Sequence, residues 1–127
     1  MGEEAETLLG KRYQFINVWR PLRGPVVDFP LAVCDARSLE VADFVATDLR
    51  YRDRTGEIYS VRYNERHRWV YLSQMQPDEV LLLKCFDSEP GDHARYTAHA
   101  SFRHPGADED VLTRRSIEVR TIAFFDE

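Results

Sequence analysis

The sequence has little cysteine, and its two cysteines form no recognisable motif. Cys34 and Cys85 lie far apart in the 127 residues, in neither a zinc-binding nor a redox spacing. It also lacks a long apolar run: the longest, around Val80 to Leu83, is far too short to span a bilayer. No signal peptide is visible at the acidic N-terminus. These features predict two buried free thiols, a cytoplasmic location and no membrane partner.

The sequence also lacks an excess of positive charge. Lysine and arginine number 17 against 22 aspartate and glutamate, which gives a net charge of −5. Domains that bind a phosphate backbone are usually basic, so no nucleic-acid partner is expected. The length fits a single domain over residues 1–127, and the 43% hydrophobic content is enough for a real core.

Helix signals are sparse. Residues 3–9 are typical of a short helix ended by Gly10, and Ser38 is a candidate cap for a second short helix through Phe44. The remaining patterns favour strands separated by turns rich in proline, glycine and aspartate. The predicted strands cover 13–20, 31–34, 58–63, 68–73, 80–86, 96–102 and 116–125. The first is apolar on both faces, which is typical of a strand covered on both sides. Mainly β structure of the sandwich, barrel or jelly-roll kind is therefore predicted.

His99 is the first candidate for chemistry. It lies in the middle of a predicted strand, and Thr97 and Ser101 share its face. These small neighbours leave room beside the imidazole for a ligand. The alternative is an ordinary core or surface histidine.

Arg114 and Ser116 share one face of the last predicted strand with Glu118 and Arg120. A guanidinium can donate two parallel hydrogen bonds to a carboxylate, and a serine hydroxyl two residues further on can add a third. The stripe is therefore a candidate carboxylate pocket. The alternative is a solvated strand face.

Asn17 and Arg20 belong to the aromatic first strand, next to Trp19 and just before Pro21. An arginine in this setting is either an edge residue or part of an anion site. Among motifs with well-known chemistry, HxD, HExxH, CxxC, P-loop and GxSxG are all absent from the sequence.

Many short segments, in order, nevertheless closely resemble the fungal AsaB-type hydroxylase/desaturase family, over about residues 13–125. That family is similar to the cephamycin methoxylase J-component and to gibberellin desaturases. The matching pieces are Asn17-Val-Trp-Arg-Pro-Leu22, Pro25-Val-Val-Asp28, Pro30-Leu-Ala32, Cys34-Asp35, Tyr63-Asn64, His67-Arg-Trp69, Met75, Asp78-Glu-Val-Leu-Leu82, Lys84, Asp87-Ser88, His99, Phe102, Pro105 and Arg114-Arg-Ser-Ile-Glu-Val-Arg120.

The resemblance implies a non-haem Fe(II)/2-oxoglutarate-dependent oxygenase on a double-stranded β-helix, a cupin-like jelly roll. Such enzymes hold iron with two histidines and one carboxylate. His99 matches the distal iron ligand, and Arg114 with Ser116 matches the Arg-x-Ser pair that binds the distal carboxylate of 2-oxoglutarate. We add that Asn17 or Arg20 meets the substrate or the other end of the cosubstrate.

The family's HxD motif lies upstream of the segment that matches Tyr13, and no HxD occurs here. The resemblance therefore implies the C-terminal part of a longer oxygenase domain, with two of three iron ligands absent. We expect the chain alone to retain neither Fe(II) nor 2-oxoglutarate usefully and to be inactive. Its exposed strand edges favour self-association.

Two functions are therefore consistent with the sequence. The first is an oxidoreductase that hydroxylates or desaturates a small secondary metabolite. The second is a non-catalytic relic β-domain that binds a small carboxylate or a partner chain.

Overall fold

The computed structural model describes residues 4–126, and most of its regular structure is β. Within that range the elements are α1 (Ala5–Leu9), β1 (Tyr13–Pro21), β2 (Leu31–Cys34), β3 (Phe44–Arg50), β4 (Thr55–Val61), β5 (Trp69–Tyr71), β6 (Leu81–Asp87), β7 (His99–Ser101) and β8 (Ser116–Phe124). The mainly-β prediction is confirmed. The predicted helix includes Glu3, which lies outside the described residues; its end at Gly10 is confirmed.

The strands form two three-stranded sheets and one hairpin. One sheet has the order β6-β1-β8, the second has the order β5-β2-β7, and β3 pairs with β4 alone. Every pairing is antiparallel. Sequence neighbours are split between the two larger sheets, so long-range pairing rather than local hairpins builds them, as expected for a jelly roll.

The core lies between the two larger sheets. Trp19 of β1 and Leu83 of β6 pack against Leu31 of β2, together with Val26 and Met75 from loops. Each strand contributes alternate residues, because successive side chains point to opposite faces. The inward positions of β1 are therefore the odd-numbered ones.

The second predicted helix is wrong. Instead of a helix from Ser38 to Phe44, two short 3₁₀ turns span Ala36–Ser38 and Val41–Asp43. Asp35 caps the first turn by accepting a hydrogen bond from the Arg37 backbone N–H. Ser38 ends that turn rather than starting a helix, because its hydroxyl donates to the Asp35 carbonyl oxygen at 2.6 Å.

No helix among residues 4–126 has the length and apolar character needed to cross a bilayer. Both cysteines are free thiols, as predicted, with Cys34 buried and Cys85 half-buried.

Candidate functional site

The register between β1 and β8 brings the predicted polar stripe onto the inner face of the first sheet. Asn17 pairs with Arg120, Trp19 with Glu118, and Pro21 with Ser116. Directly opposed residues of an antiparallel pair point to the same side of the sheet. Because Trp19 lies in the core, the stripe faces the space between the two larger sheets.

Arg114 reaches this space from the residues just before β8. Its guanidinium carbon lies 5.3 Å from the centre of the Trp19 ring, and one guanidinium nitrogen donates to the carbonyl oxygen of Phe29. Partial burial lowers the pKa of Arg114, and no carboxylate among residues 4–126 offsets that effect. A partly desolvated cation without an acidic partner is suited to an anion from solution.

Asn17 is the most deeply buried of the candidates, with 1% of its surface exposed. Its side-chain nitrogen donates to Glu118, and its side-chain oxygen accepts from Arg120 Nε at 3.2 Å. The two contacts fix which way the amide points, since one partner is an acceptor and the other a donor. Asn17 thus ties the polar stripe of β8 to the centre of the sheet.

His99 lies on the facing sheet. It opens β7, pairs with Val33 of β2, and lines a cavity of about 250 Å³ together with Leu83 of β6 and Thr97. His99 is an exposed residue, and Val33, its partner on β2, packs against the core. The structure therefore places His99 on one sheet and Arg114 and Ser116 on the other, all directed toward the space between.

Arg20 is separated from this group. It is exposed and follows Trp19, so its side chain leaves the opposite face of β1. It pairs with Ile117, which also points outward. Of the two residues predicted to contact substrate or cosubstrate, the structure brings only Asn17 to the inner face.

The residues that support Arg114 were not found from the sequence. Trp19 provides its ring, and the loop before β2 provides the Phe29 carbonyl. The one relevant signal in the sequence is the strand alternation, which puts Trp19 on the same face of β1 as Asn17. The approach of Phe29 depends on a loop fold that no periodicity encodes.

A buried carboxylate surrounded by hydrogen-bond donors was also not found from the sequence. Asp87 has no exposed surface, and it accepts hydrogen bonds from Arg12, Gln14 and the backbone N–H of Glu89, with His93 3.1 Å away. The Arg12 hydrogen bond holds the pKa of the Asp87 carboxyl far below its usual range. Asp87 joins β1 to the end of β6 and fixes the start of the loop that leads to β7.

A metal centre needs several ligands together. No group of three or more histidine, cysteine, aspartate or glutamate side chains comes together within residues 4–126. The described residues therefore fit a carboxylate at Arg114, whereas His99 alone does not fit a bound Fe(II).

Comparison with known proteins relates the chain to oxidoreductases. Residues 1–124 match the family model described as "Oxidoreductase/YMDC permease-like domain". Among curated relatives, the chain is 46% identical to aspirochlorine biosynthesis protein N of Aspergillus oryzae, over 98% of this chain and 53% of that protein. It is 40% identical to the Fe(II)/2-oxoglutarate-dependent dioxygenase nvfI of Aspergillus novofumigatus, over 97% and 45%. It is 38% identical to the hydroxylase/desaturase asaB of Aspergillus flavus, over 98% and 60%.

Solved structures of similar fold carry the same description. A structure of the iron and alpha-ketoglutarate-dependent endoperoxidase NvfI superposes with a TM-score of 0.90 at 38% identity, covering 99% of this chain and 46% of that one. Its W199F variant gives a TM-score of 0.88 at 35% identity, with 98% and 45% covered. The chain thus spans about half the length of the relatives it matches.

Proposed function

Because this chain belongs to the oxidoreductase family of the AsaB-type hydroxylase/desaturases, we propose that it provides the cosubstrate-binding part of an Fe(II)/2-oxoglutarate-dependent oxygenase. The substrate would be a small molecule that is hydroxylated or desaturated. Two free thiols support the cytoplasm as the compartment of this reaction.

One observation carries the proposal. The Arg114 guanidinium is half-buried against Trp19 and has no carboxylate partner within residues 4–126. In that setting a dicarboxylate gains charge-assisted hydrogen bonds that water screens only weakly. Ser116, two residues further along the same face, adds a hydroxyl donor to the carboxylate.

The other inward residues would position the cosubstrate. Asn17 hydrogen-bonds to both Glu118 and Arg120 and so fixes these two side chains in one network on the inner face. Trp19 forms an apolar wall that excludes water from one side of the guanidinium. His99 would supply one imidazole to a metal from the facing sheet, beside the bound cosubstrate.

A non-catalytic domain that binds a small carboxylate is the second candidate. It is favoured by the same Arg114, which has no carboxylate partner within residues 4–126, and by the absence of a metal-ligand group around His99 in that range. The two functions differ in whether binding of a carboxylate is coupled to a metal.

Anaerobic calorimetry separates them. Mn(II), as a surrogate for Fe(II), is titrated into wild type and His99→Ala, each with and without 2-oxoglutarate. Micromolar metal binding that needs both His99 and 2-oxoglutarate supports the oxygenase site. Binding of 2-oxoglutarate that ignores Mn(II) and His99 but needs Arg114 supports the carboxylate-binding domain, and no binding of either ligand contradicts both.

A further inference from the structure

Glu118 and Arg120 form an oppositely charged pair on the inner face of the β6-β1-β8 sheet. Glu118 pairs with Trp19 of β1, and Arg120 pairs with Asn17. Opposed residues of an antiparallel pair point to the same side, and Trp19 and Asn17 are both buried. The two charged side chains are themselves exposed, so they reach from a buried floor into the space between the two larger sheets.

The Asn17 amide holds these two charged groups apart. Its nitrogen donates to the Glu118 carboxylate, and its oxygen accepts from Arg120 Nε at 3.2 Å. Within residues 4–126, Glu118 and Arg120 form no direct ion pair. One Glu118 carboxylate oxygen and both terminal guanidinium nitrogens of Arg120 have no hydrogen-bond partner in that range. The pair thus presents a fork of donors and an acceptor oxygen side by side.

The chemistry of this pair differs from that of Arg114. Arg114 is suited to an anion, whereas Glu118 and Arg120 together carry no net charge. The end of a guanidinium matches a carboxylate with two parallel hydrogen bonds, and a carboxylate oxygen accepts from an ammonium group. A molecule that carries both charges gains more from this pair than a simple anion does, because Glu118 repels an anion that has no positive group.

The Asn17 amide also indicates the size of the group that fits. Its nitrogen and oxygen are bonded to the same carbon atom, and they reach Glu118 and Arg120 at the same time. In an α-amino acid, one carbon likewise separates the ammonium group from the carboxylate. A head group of that size can therefore span the pair from the side that is open to solvent.

We propose that Glu118 and Arg120 bind the zwitterionic head group of an amino acid, or of a substrate that retains one, with its carboxylate on Arg120 and its ammonium group on Glu118. The inference rests on the proposed function, because it names a substrate class for the same space between the sheets. Ser116 and Arg120 are four residues apart on β8, about 13 Å along the strand. A five-carbon dicarboxylate bound at Arg114 and Ser116 leaves Arg120 to a different molecule.

Titrations followed by NMR test this inference on the chain alone with three related ligands. L-Leucine carries both charges, N-acetyl-L-leucine lacks the ammonium group, and L-leucinamide lacks the carboxylate. Each ligand is added to wild type, Glu118→Gln and Arg120→Gln, since glutamine removes the charge and keeps a polar side chain. Arg20→Gln is the matched control, because Arg20 is an exposed arginine on the opposite face of β1. Circular dichroism of each variant checks that it is folded.

We expect wild type and Arg20→Gln to bind L-leucine equally, and Glu118→Gln and Arg120→Gln to bind it at least about tenfold more weakly. Wild type should bind each derivative about tenfold more weakly than L-leucine, since each derivative loses one charged contact. A separate titration of wild type with 2-oxoglutarate distinguishes the two proposals. Failure of 2-oxoglutarate to bind contradicts the proposed function alone, whereas failure of L-leucine to bind contradicts this inference alone.

Three outcomes overturn the inference. The first is absence of saturable L-leucine binding by wild type. The second is equal binding of L-leucine by wild type, Glu118→Gln and Arg120→Gln. The third is binding of N-acetyl-L-leucine as tightly as L-leucine, because that result assigns Arg120 to a simple anion and leaves Glu118 without a role.

Discussion

Arg114 and Arg115 are adjacent in the sequence, yet they meet different surroundings. Arg114 lies over the Trp19 ring and is partly buried, whereas Arg115 is exposed. Both precede β8, and alternation along the extended backbone that leads into that strand is enough to separate them. The pair therefore offers a test of the proposed anion site in which charge, residue type and position in the chain are nearly matched.

We expect Arg114→Ala to weaken 2-oxoglutarate binding by about 10- to 100-fold, the loss typical of hydrogen bonds to a charged group. Arg114→Lys should restore part of the affinity, because a lysine keeps the charge and loses the two parallel donors. Calorimetry measures each dissociation constant, with Arg115→Ala as the control. Equal losses in Arg114→Ala and Arg115→Ala would point to a general charge effect and contradict the site.

Buried and hydrogen-bonded carboxylates make the stability of the fold depend on pH in the acid range. Hydrogen bonds from Arg37 lower the pKa of Asp35 to about 2, and the His67 hydrogen bond does the same for Asp43. A carboxyl whose pKa is lower in the folded chain binds fewer protons there than in the unfolded chain. Its contribution is present above the ordinary value of 3.8 and is lost as the pH falls toward 2.

Urea denaturation at a series of pH values should therefore show a falling midpoint below about pH 4. Asp87→Asn should lower the midpoint at neutral pH and make the fall in acid shallower, because Asp87 holds the most strongly lowered pKa in the described chain. Asp92→Asn, at an exposed position of the following loop, is the control. A parallel acid profile in wild type and Asp87→Asn would contradict this assignment.

At the scale of elements, the sequence predicted the strands with strong alternation or dense apolar runs. The bounds of β2 were predicted without error, and those of β1 and β8 within one residue. The predicted strand 96–102 is reduced to His99–Ser101. Its first residues instead belong to the preceding loop, where Thr97 donates a hydrogen bond to the Cys34 carbonyl oxygen and the Tyr96 ring stacks on the Tyr59 ring.

The strand β3 was not predicted at all. Its sequence from Phe44 to Arg50 mixes aromatic, small and charged residues, and Thr47 and Asp48 interrupt the apolar pattern. Its strand character comes from pairing with β4, and that partner is supplied by tertiary structure rather than by local propensity. Alternation also predicted that Arg114 and Ser116 share a face. It could not predict that the sheet carrying His99 packs opposite that face, because no local pattern encodes the packing of two sheets.

Three rings attach the β3–β4 hairpin to the rest of the molecule. Phe44 and Tyr59 of the hairpin pack on Tyr96, with ring centres 5.2–5.7 Å apart. We expect Tyr59→Ala to raise amide exchange across β3 and β4 by about tenfold, since each such aromatic pair contributes about 0.5–1.5 kcal/mol. Exchange in β1 should stay unchanged. Tyr63→Ala is the control because Tyr63 is 92% exposed, and equal effects of the two variants would contradict the role of Tyr59.

At the scale of the whole molecule, one small core joins elements that are far apart in the chain. Trp19, Leu31 and Leu83 come from three strands of two different sheets. Loss of any one of them removes packing from both sheets at once. The opposite face of the β6-β1-β8 sheet, which carries Leu82 and Val119, contributes little to this core. The loss of stability on substitution therefore depends on which face of the strand a residue occupies.

Leu83→Ala and Leu82→Ala give a direct comparison of the two faces. Leu83→Ala should reduce the free energy of unfolding by about 2–5 kcal/mol, the range for a large core side chain cut to alanine. Leu82→Ala should change it by about 0.5 kcal/mol or less in this chain alone, since Leu82 is largely exposed. Equilibrium urea unfolding measures both free energies, and a similar loss in the two variants would contradict the assignment of Leu82 to a solvent-exposed face.

The two tryptophans lie on different sheets in contrasting surroundings, which gives the molecule a built-in optical reporter. Trp19 is 3% exposed with the Arg114 guanidinium over its ring, whereas Trp69 on β5 is 40% exposed. In a Trp69→Phe variant, the emission comes from the indole beneath Arg114 alone. A ligand that draws the cation away from the ring changes the electric field at that indole. Binding of the ligand should therefore shift the wavelength of the tryptophan fluorescence emission.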